Sequence, residues 1–351
     1  MGFEDNFRNV TFTLLRFSAF STHALLFGLI PILILVLRPS FKGLDSAEWA
    51  QGRLRFGSRL EGIVRACLWG SFASTVLILL VQSALVSEFD TGSVTGDSVL
   101  SVLETTFGQW IGLRIPLVAG LAVLLVGRVK EWALGGVEAD AKGPSLVWWI
   151  AWGLLSAALL ATSTFSGHAT VATPRTLSLA NDVLHLLSGA TWFTGIVILA
   201  VALPDGWVGK GGVDRMRLLS PAVTRFSKVA LISITIVTVT GTLNSFLHLG
   251  KIKDFWETGY GQTLGIKILV FLVILGLGAL NHFFLRHRLE AARREGGTAD
   301  APRASFRKAI AIELVIALLI MTLTGLLTGL GRTKEVQLPA DTTQASDFVR
   351  D

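Results

Sequence analysis

Cysteine, methionine and charged residues are all scarce in this chain of 351 residues. It has one cysteine and three methionines, and only 16% of its residues are charged. The single cysteine, Cys67, excludes an intrachain disulfide and a cysteine-based metal cluster, and so few methionines exclude a ladder of thioether ligands for a soft metal. The low share of charged residues excludes an ordinary soluble domain, in which about a quarter of the residues are charged.

Nucleotide-binding motifs are absent as well. The sequence contains neither Gly-x-x-x-x-Gly-Lys-Ser/Thr nor Asp-Lys-Thr-Gly-Thr, so it gives no sign of ATP-driven pumping. The formal net charge of +6 reflects membrane topology, because the basic residues lie mainly in alternate loops. We therefore expect no nucleotide and no nucleic acid as a partner, and a binding or transport protein rather than an enzyme.

Long apolar stretches, by contrast, are abundant. Hydrophobic residues make up 51% of the chain, and eight stretches are long enough to cross a bilayer, which takes about 20 residues of helix. They predict an all-α integral membrane protein with eight transmembrane helices surrounded by lipid, the first of them retained rather than cleaved as a signal peptide. The stretches are residues 12–37, 62–85, 111–127, 146–165, 178–203, 226–247, 263–285 and 308–330.

The basic residues are distributed unevenly between the two sides of these helices. The loops after the first, third, fifth and seventh stretches hold 20 Lys and Arg residues, whereas the two tails and the other three loops hold 7. Basic loops stay in the cytoplasm by the positive-inside rule. Both termini are therefore predicted to lie outside.

An internal repeat divides the chain. "ETTFGQWIGLRI" (104–115) and "ETGYGQTLGIKI" (257–268) match at six positions, and each carries a basic residue at the same place. Each copy leads into an odd-numbered helix from the outer side, which predicts two four-helix halves in parallel orientation. The predicted units are the first half, the outer joining loop, the second half and a disordered outer tail, at residues 1–165, 166–177, 178–330 and 331–351.

Four of the six histidines are predicted on or just below the outer face. His168 falls in the outer joining loop, and His248 ends the sixth helix. His185 lies about seven residues into the fifth helix, roughly 10 Å below the surface at 1.5 Å per residue, and His23 lies at a similar depth in the first helix. The remaining two histidines are His282 and His287, which we interpret as part of a solvated basic inner loop.

The surroundings of these histidines favour a metal site. Neutral imidazole is the commonest metal ligand, and an ionisable residue inside a membrane is by default a functional hypothesis. Asn181 and Asp182 share a helical face with His185, and Asn244 lies one turn from His248. Asp182 is expected to accept the free ring N–H of His185 and so to orient it. A set of three or four imidazoles suits copper or zinc, of which copper binds more tightly.

Other charged residues in the apolar stretches have simpler interpretations. Arg16, Arg114 and Lys267 are interpreted as anchors whose charged ends reach the membrane surface. Glu313, in the eighth helix, relays protons, pairs with a basic residue of the inner loop, or lies close enough to the helix start to be tolerated there.

Several segments closely resemble the copper resistance D family of bacterial membrane proteins. They include "FSGHAT", "LANDVLHLLSGATWFTGIVILA" and "TGYGQTLGIKILVFLVILGLGALNHFF", with "LRFSAFSTHALLFG" in the first half, and the resemblance covers nearly the whole eight-helix core. It implies a multi-pass protein of the bacterial cytoplasmic membrane that contributes to copper homeostasis and resistance. Such a protein handles copper, as Cu⁺ or Cu²⁺, at the outer face and carries it into the cytoplasm. By position, the family's histidine pattern falls on His23, His168 and His185, with Asp182 beside the last.

The resemblance and the predicted depths together assign roles. Relatives often carry or work with an extracytoplasmic copper-binding domain, and because only about ten residues precede the first helix, we expect the donor to be a separate protein or the free ion. His168 is expected to capture the ion. His23 and His185 are expected to form a nearly linear pair suited to cuprous ion, and His248 to complete or gate the site.

Two other functions stay open. Histidines on neighbouring helices ligate haem in membrane proteins of the b type, and His23 and His185 are candidates for that arrangement. Alternatively, the chain is an assembly scaffold whose histidines are incidental.

Overall fold

The computed structural model describes residues 3–42, 44, 47–87, 94–129, 144–166, 174–207, 209–210, 212–249, 251–281 and 300–330, and the structural statements below concern these residues. The predicted tail, 331–351, lies outside them. So do three of the histidines considered above, namely His168, His282 and His287.

Eight long helices form the fold. They are α1 (Phe3–Ile32), α2 (Ala47–Ser87), α3 (Thr106–Leu125), α4 (Leu146–Phe165), α5 (Arg175–Val197), α6 (Gly212–His248), α7 (Gly259–Leu280) and α8 (Asp300–Leu327). Each contains a segment long and apolar enough to cross a membrane. The prediction of an all-helical protein with eight membrane-spanning helices is confirmed, and the described part of the chain contains no strand.

The first helix of each predicted half ends in a wider π-helical turn. α1 continues into a π-helix at Leu33–Leu37, and α5 continues into one at Ile198–Ala202. In α1 this turn follows Pro31, whose ring blocks the regular hydrogen bond to the preceding turn. The same wider turn thus occurs in both although their sequences differ there. Beyond it, the first segment continues as α-helix (Arg38–Phe41) and the second as 3₁₀-helix (Leu203–Trp207).

α1 lies at the centre of the bundle. It packs against α2, α4, α5 and α8, and its contact with α5 is close because residue 28 is glycine. A Cβ at Gly28 would lie 2.2 Å from Oγ1 of Thr194, and that hydroxyl donates a 3.0 Å hydrogen bond to the carbonyl of Ala24. Small residues allow this approach, as is usual between membrane helices.

The two copies of the repeat adopt the same local structure. A short helix, Gly96–Glu104 before α3 and Asp254–Glu257 before α7, ends at a threonine that caps the next helix. The Thr105 hydroxyl accepts from the N–H of Gly108 at 3.0 Å, and the Thr258 hydroxyl accepts from the N–H of Gly261 at 3.0 Å. The cap explains the Thr and Gly that the copies share.

One end of the bundle holds the start of α1 and the end of α8, because Gly329 lies beside the guanidinium of Arg16. α6 ends and α7 begins at this same end, which we call the His248 end. By the distribution of basic residues it is the end predicted to face outside.

Candidate metal site

A cavity of about 380 Å³ opens at the His248 end between α5, α6, α7 and α8. Most of its wall is apolar, from residues such as Phe20 and Phe271. The polar and charged side chains that line it include Thr164, Asp182, His185, Asn244, His248, Tyr260 and Lys267. An apolar cavity with a few converging polar groups is the usual form of a small-ligand site.

A chain of hydrogen bonds connects the polar side chains of α4, α5 and α6. The carboxylate of Asp182 accepts from the hydroxyl of Thr164 at 2.8 Å and from the amide of Asn244 at 3.2 Å. Asn181 donates to the side-chain oxygen of Asn244 at 2.8 Å and to the carbonyl of Thr240 at 2.9 Å. Three helices are thus tied together around the cavity, which fixes its polar wall.

The imidazole of His185 is held by Thr240. Its Nδ1 lies 2.9 Å from the Thr240 hydroxyl, and that hydroxyl already donates to the carbonyl of Ile236 at 2.6 Å. A hydroxyl has a single hydrogen, so when Thr240 donates to that carbonyl its oxygen accepts from Nδ1, and Nδ1 then carries the ring proton. In that tautomer of the neutral ring, Nε2 keeps its lone pair and is the nitrogen that can bind a metal.

Gly241 leaves the space in which the imidazole lies. A Cβ at this position would lie 3.2 Å from Cε1 of His185, which is tighter than ordinary van der Waals contact. Both Gly241 and His185 line the cavity. Two neighbouring residues of α6 therefore position the His185 ring. Thr240 contacts it through a hydroxyl, and Gly241 leaves room for it because it has no side chain.

His248 is brought to the same cavity as His185. It is the last residue of α6 and is buried. Thr240, Asn244 and His248 follow one another at intervals of four residues, so they share one face of α6. The structure therefore places His185, His248, Asp182 and Asn244 around one cavity, with Asn181 hydrogen-bonded behind them.

His23 lies one turn along α1 from Phe20, which lines the cavity, and its own contacts are with the first half. Its Nε2 lies 2.9 Å from the hydroxyl of Ser71 on α2. The side chain is fully buried, and its Nδ1 has no hydrogen-bond partner among the described residues. A ring nitrogen of His23 is thus left without a partner, although His23 is not one of the described residues that line the cavity.

No three side chains of His, Cys, Asp or Glu in the described part of the chain come close enough together to hold a metal ion. The expected cluster of three or four imidazoles is therefore not assembled by these residues. The cavity brings together two of the four candidate histidines, and His168 falls outside the described ranges.

The interpretation of Arg114 as a surface anchor is wrong. Its side chain is buried and donates to hydroxyls at the end of α4, to Thr162 at 2.8 Å and to Ser163 at 3.4 Å. Lys267, its counterpart in the second copy of the repeat, lines the cavity. The repeat showed that both residues occupy the same basic position, but the sequence pattern alone did not show that their side chains point inwards.

Two further residues of this region, Thr240 and Tyr260, were not predicted from the sequence. A signal for Thr240 was present, since it precedes Asn244 and His248 at intervals of four residues on one helical face. Tyr260, the single tyrosine of the chain, lies in the second repeat, and phenylalanine occupies the same place in the first.

Two protein families match the chain over most of its length. Residues 7–174 match the N-terminal domain of copper resistance protein D-like proteins, and residues 220–327 match copper resistance protein D. No solved structure matches the chain.

Curated relatives from two bacteria are similar to the chain. "Copper transport protein CutJ" of Bacillus subtilis (strain 168) is 29% identical over 273 residues, which are 77% of this chain and 47% of that protein. "Copper resistance protein D" of Pseudomonas syringae pv. tomato is 25% identical over 320 residues, which are 90% of this chain and 94% of that protein. The chain thus spans about half the length of the Bacillus relative and nearly all of the Pseudomonas relative.

Proposed function

Because the chain belongs to the copper resistance protein D family, we propose that it binds copper in the cavity at the His248 end and carries the ion across the bacterial cytoplasmic membrane into the cytoplasm. A role in copper handling follows from the family. We further propose that the ion binds in this cavity, that it moves inwards and that the membrane is the cytoplasmic one. We also propose that the chain binds and transports copper and does not catalyse a reaction.

The observation that carries this proposal is the state of the His185 ring. Nδ1 faces the Thr240 hydroxyl at 2.9 Å, so we expect Nε2 to be the nitrogen that binds the ion, on a side chain that lines the cavity. His248 lines the same cavity from α6. Two neutral imidazoles are sufficient ligands for cuprous ion, which accepts low coordination numbers and soft or borderline donors.

The charges around the cavity suit a cation that binds and leaves again. The carboxylate of Asp182 attracts a cation, and the ammonium of Lys267, which lines the same cavity, opposes that attraction. A transported ion must be held strongly enough to enter and weakly enough to leave. A site with neutral ligands and a balanced pair of charges meets both conditions.

His23 and His168 keep the roles predicted for them within this proposal. His168, in the loop joining the halves, would deliver the ion to the cavity. His23 lies one turn beyond Phe20 of the cavity wall, and its unpartnered Nδ1 supports a place for it on the ion's path, paired with His185 or after it.

Inward movement needs no nucleotide. A cation that enters a cell moves down the membrane potential, which contributes about 2.3 kcal/mol per elementary charge for each 100 mV. This agrees with the absence of a nucleotide-binding motif from the sequence. A copper-binding donor protein outside the cell would raise the local supply of the ion without supplying energy.

The proposal is tested by elemental analysis and absorption spectroscopy of the full chain purified in detergent. We expect the wild type to bind copper in preference to zinc and to show no haem absorption. His185→Ala should lose the bound copper, because Nε2 is then absent. Leu184→Ala, which changes an exposed neighbour on the same helix, should keep it and serves as the matched control.

The other candidate functions give different results in the same experiment. A Soret band in the wild type would identify the haem protein considered above. If the wild type binds neither copper nor haem, at metal concentrations that saturate a high-affinity site, our proposal is contradicted. The assembly scaffold is then the remaining candidate function.

A further inference from the structure

A second cavity, of about 250 Å³, lies between α5, α6, α7 and α8 towards the opposite end of the bundle. Its wall is almost entirely apolar, and its polar side chains are Ser227, Asn281 and Glu313. Leu275 of α7 lines both this cavity and the one that contains His185. The two cavities therefore adjoin each other along α7 and are divided at this leucine.

Glu313 is buried in this second cavity, where its hydrogen-bond partner among the described residues is an amide. Its side chain is 8% exposed, and the amide of Asn281 donates a short hydrogen bond to its Oε1. No Lys, Arg or His is among the described residues that line the cavity. The basic inner-loop residues expected from the sequence to pair with Glu313 include 282–299, which lie outside the described residues. A carboxylate at this depth in a membrane helix is costly, and it is usually kept for a function.

The oxygen atoms left at this place are suited to a cation. One Asn281 amide hydrogen occupies Oε1 of Glu313, which leaves Oε2, the Asn281 side-chain oxygen and the Ser227 hydroxyl as acceptors. Oxygen ligands hold copper more weakly than imidazole does when the ion is cuprous. A weak last site releases the ion readily, as transport requires, while the membrane potential supplies the driving force for the step that leads to it.

We infer that Glu313 and Asn281 form a second cation site, which receives the ion after it passes Leu275 and releases it at the opposite end of the bundle. This inference rests on the proposed function. The distance along α7 from Leu275 to Asn281 is six residues, or about 9 Å at 1.5 Å per residue. A single step between the two cavities therefore brings the ion within reach of the carboxylate.

Uptake of cuprous ion by liposomes containing the full chain tests the inference. A potassium diffusion potential, negative inside, provides the driving force, and copper bound to the detergent-purified protein is measured in parallel. Glu313→Gln keeps an acceptor for Asn281 and removes only the charge. We expect it to bind copper like the wild type and to transport at least about tenfold more slowly, which corresponds to about 1.4 kcal/mol in the barrier. Glu313→Asp, which restores the charge, should transport faster than Glu313→Gln.

Leu275→Trp tests the connection between the cavities. The larger side chain is expected to fill the passage, so uptake should fall even at copper concentrations that saturate binding to the purified variant. Leu269→Trp is the matched control, because Leu269 lies on the same helix and is 64% exposed. It should transport like the wild type.

The outcomes separate this inference from the proposed function. If the wild type takes up copper and both Glu313→Gln and Leu275→Trp do so at the wild-type rate, the second site is wrong and the proposed function stands. If a pH gradient at zero potential drives uptake and Glu313→Gln abolishes that effect, the carboxylate carries protons and the inference is also wrong. If the wild type neither binds nor takes up copper, both proposals fall.

Discussion

His185 Nδ1 lies 2.9 Å from the hydroxyl of Thr240, and His23 Nε2 lies 2.9 Å from the hydroxyl of Ser71. In each predicted half, a histidine on the first helix therefore contacts a hydroxyl on the second. The two rings use different nitrogens for this contact. His185 uses Nδ1, so Nε2 is the nitrogen that we propose binds copper, whereas His23 uses Nε2 and has its Nδ1 unpartnered among the described residues.

Removing the Thr240 hydroxyl should weaken copper binding by releasing the His185 ring. Thr240→Val keeps the shape of the side chain, and we expect a loss of roughly 10- to 100-fold in copper affinity, as for other groups that orient a metal ligand. Thr240→Ser should restore most of it. Competition titrations with a copper chelator measure the affinity. Thr235→Val, on the exposed face of α6, should have no effect, and an unchanged affinity for Thr240→Val would remove the hydroxyl from the site.

Adding a methyl group at Gly241 should displace the same ring. A Cβ there would lie 3.2 Å from Cε1 of His185, so the imidazole must move by a few tenths of an ångström. We expect Gly241→Ala to lower copper affinity while the protein stays folded, as measured by its thermal unfolding in detergent. Gly276→Ala on α7, where a Cβ meets nothing within 4 Å, is the control. Equal copper affinities in these two variants would contradict this account of the cavity.

Asp182→Asn should also weaken copper binding, by roughly 10- to 100-fold. The neutral amide removes the charge that attracts a cation and disturbs the hydrogen bonds from Thr164 and Asn244. Chelator competition on the purified protein gives the affinity, and Asp97→Asn, on an exposed helix start, controls for the loss of a charge. Should the affinity stay at the wild-type value, Asp182 would have a purely structural role.

The histidines outside the cavity should differ in their kinetic effects. His23→Ala is expected to abolish copper-dependent growth effects and transport, because no other described residue replaces its ring. His168→Ala should mainly slow loading, and high external copper should overcome the defect. Rates of copper uptake at several external concentrations distinguish the two. A wild-type rate for His23→Ala would show that this histidine serves packing alone.

The orientation of the chain can be tested by labelling. A cysteine in place of Lys210 should resist an impermeant thiol reagent in intact cells, whereas a cysteine in place of Thr173 should react, because the 20-to-7 bias in basic residues predicts opposite sides. The native Cys67 is buried and should give little background. The reverse pattern of labelling would invert the topology and place the His185 cavity on the cytoplasmic side.

The sequence alone determined the eight helices and the family. A lipid bilayer requires about 20 apolar residues for each crossing, so composition marks the spanning segments directly. The helix α4, for example, spans Leu146–Phe165, which are the residues predicted from the sequence. The repeat also predicted its own geometry. Thr and Gly recur in it because the same cap recurs before α3 and α7.

Only the tertiary structure decided which side chains meet. Nδ1 of His185 meets the hydroxyl of Thr240, Arg114 points inwards to α4, and Leu275 lines two cavities. These contacts depend on how each helix is rotated about its axis. Lipid is as apolar as leucine, so the hydrophobic effect does not select the faces that meet, and close packing at small residues such as Gly28 and Gly241 does so instead.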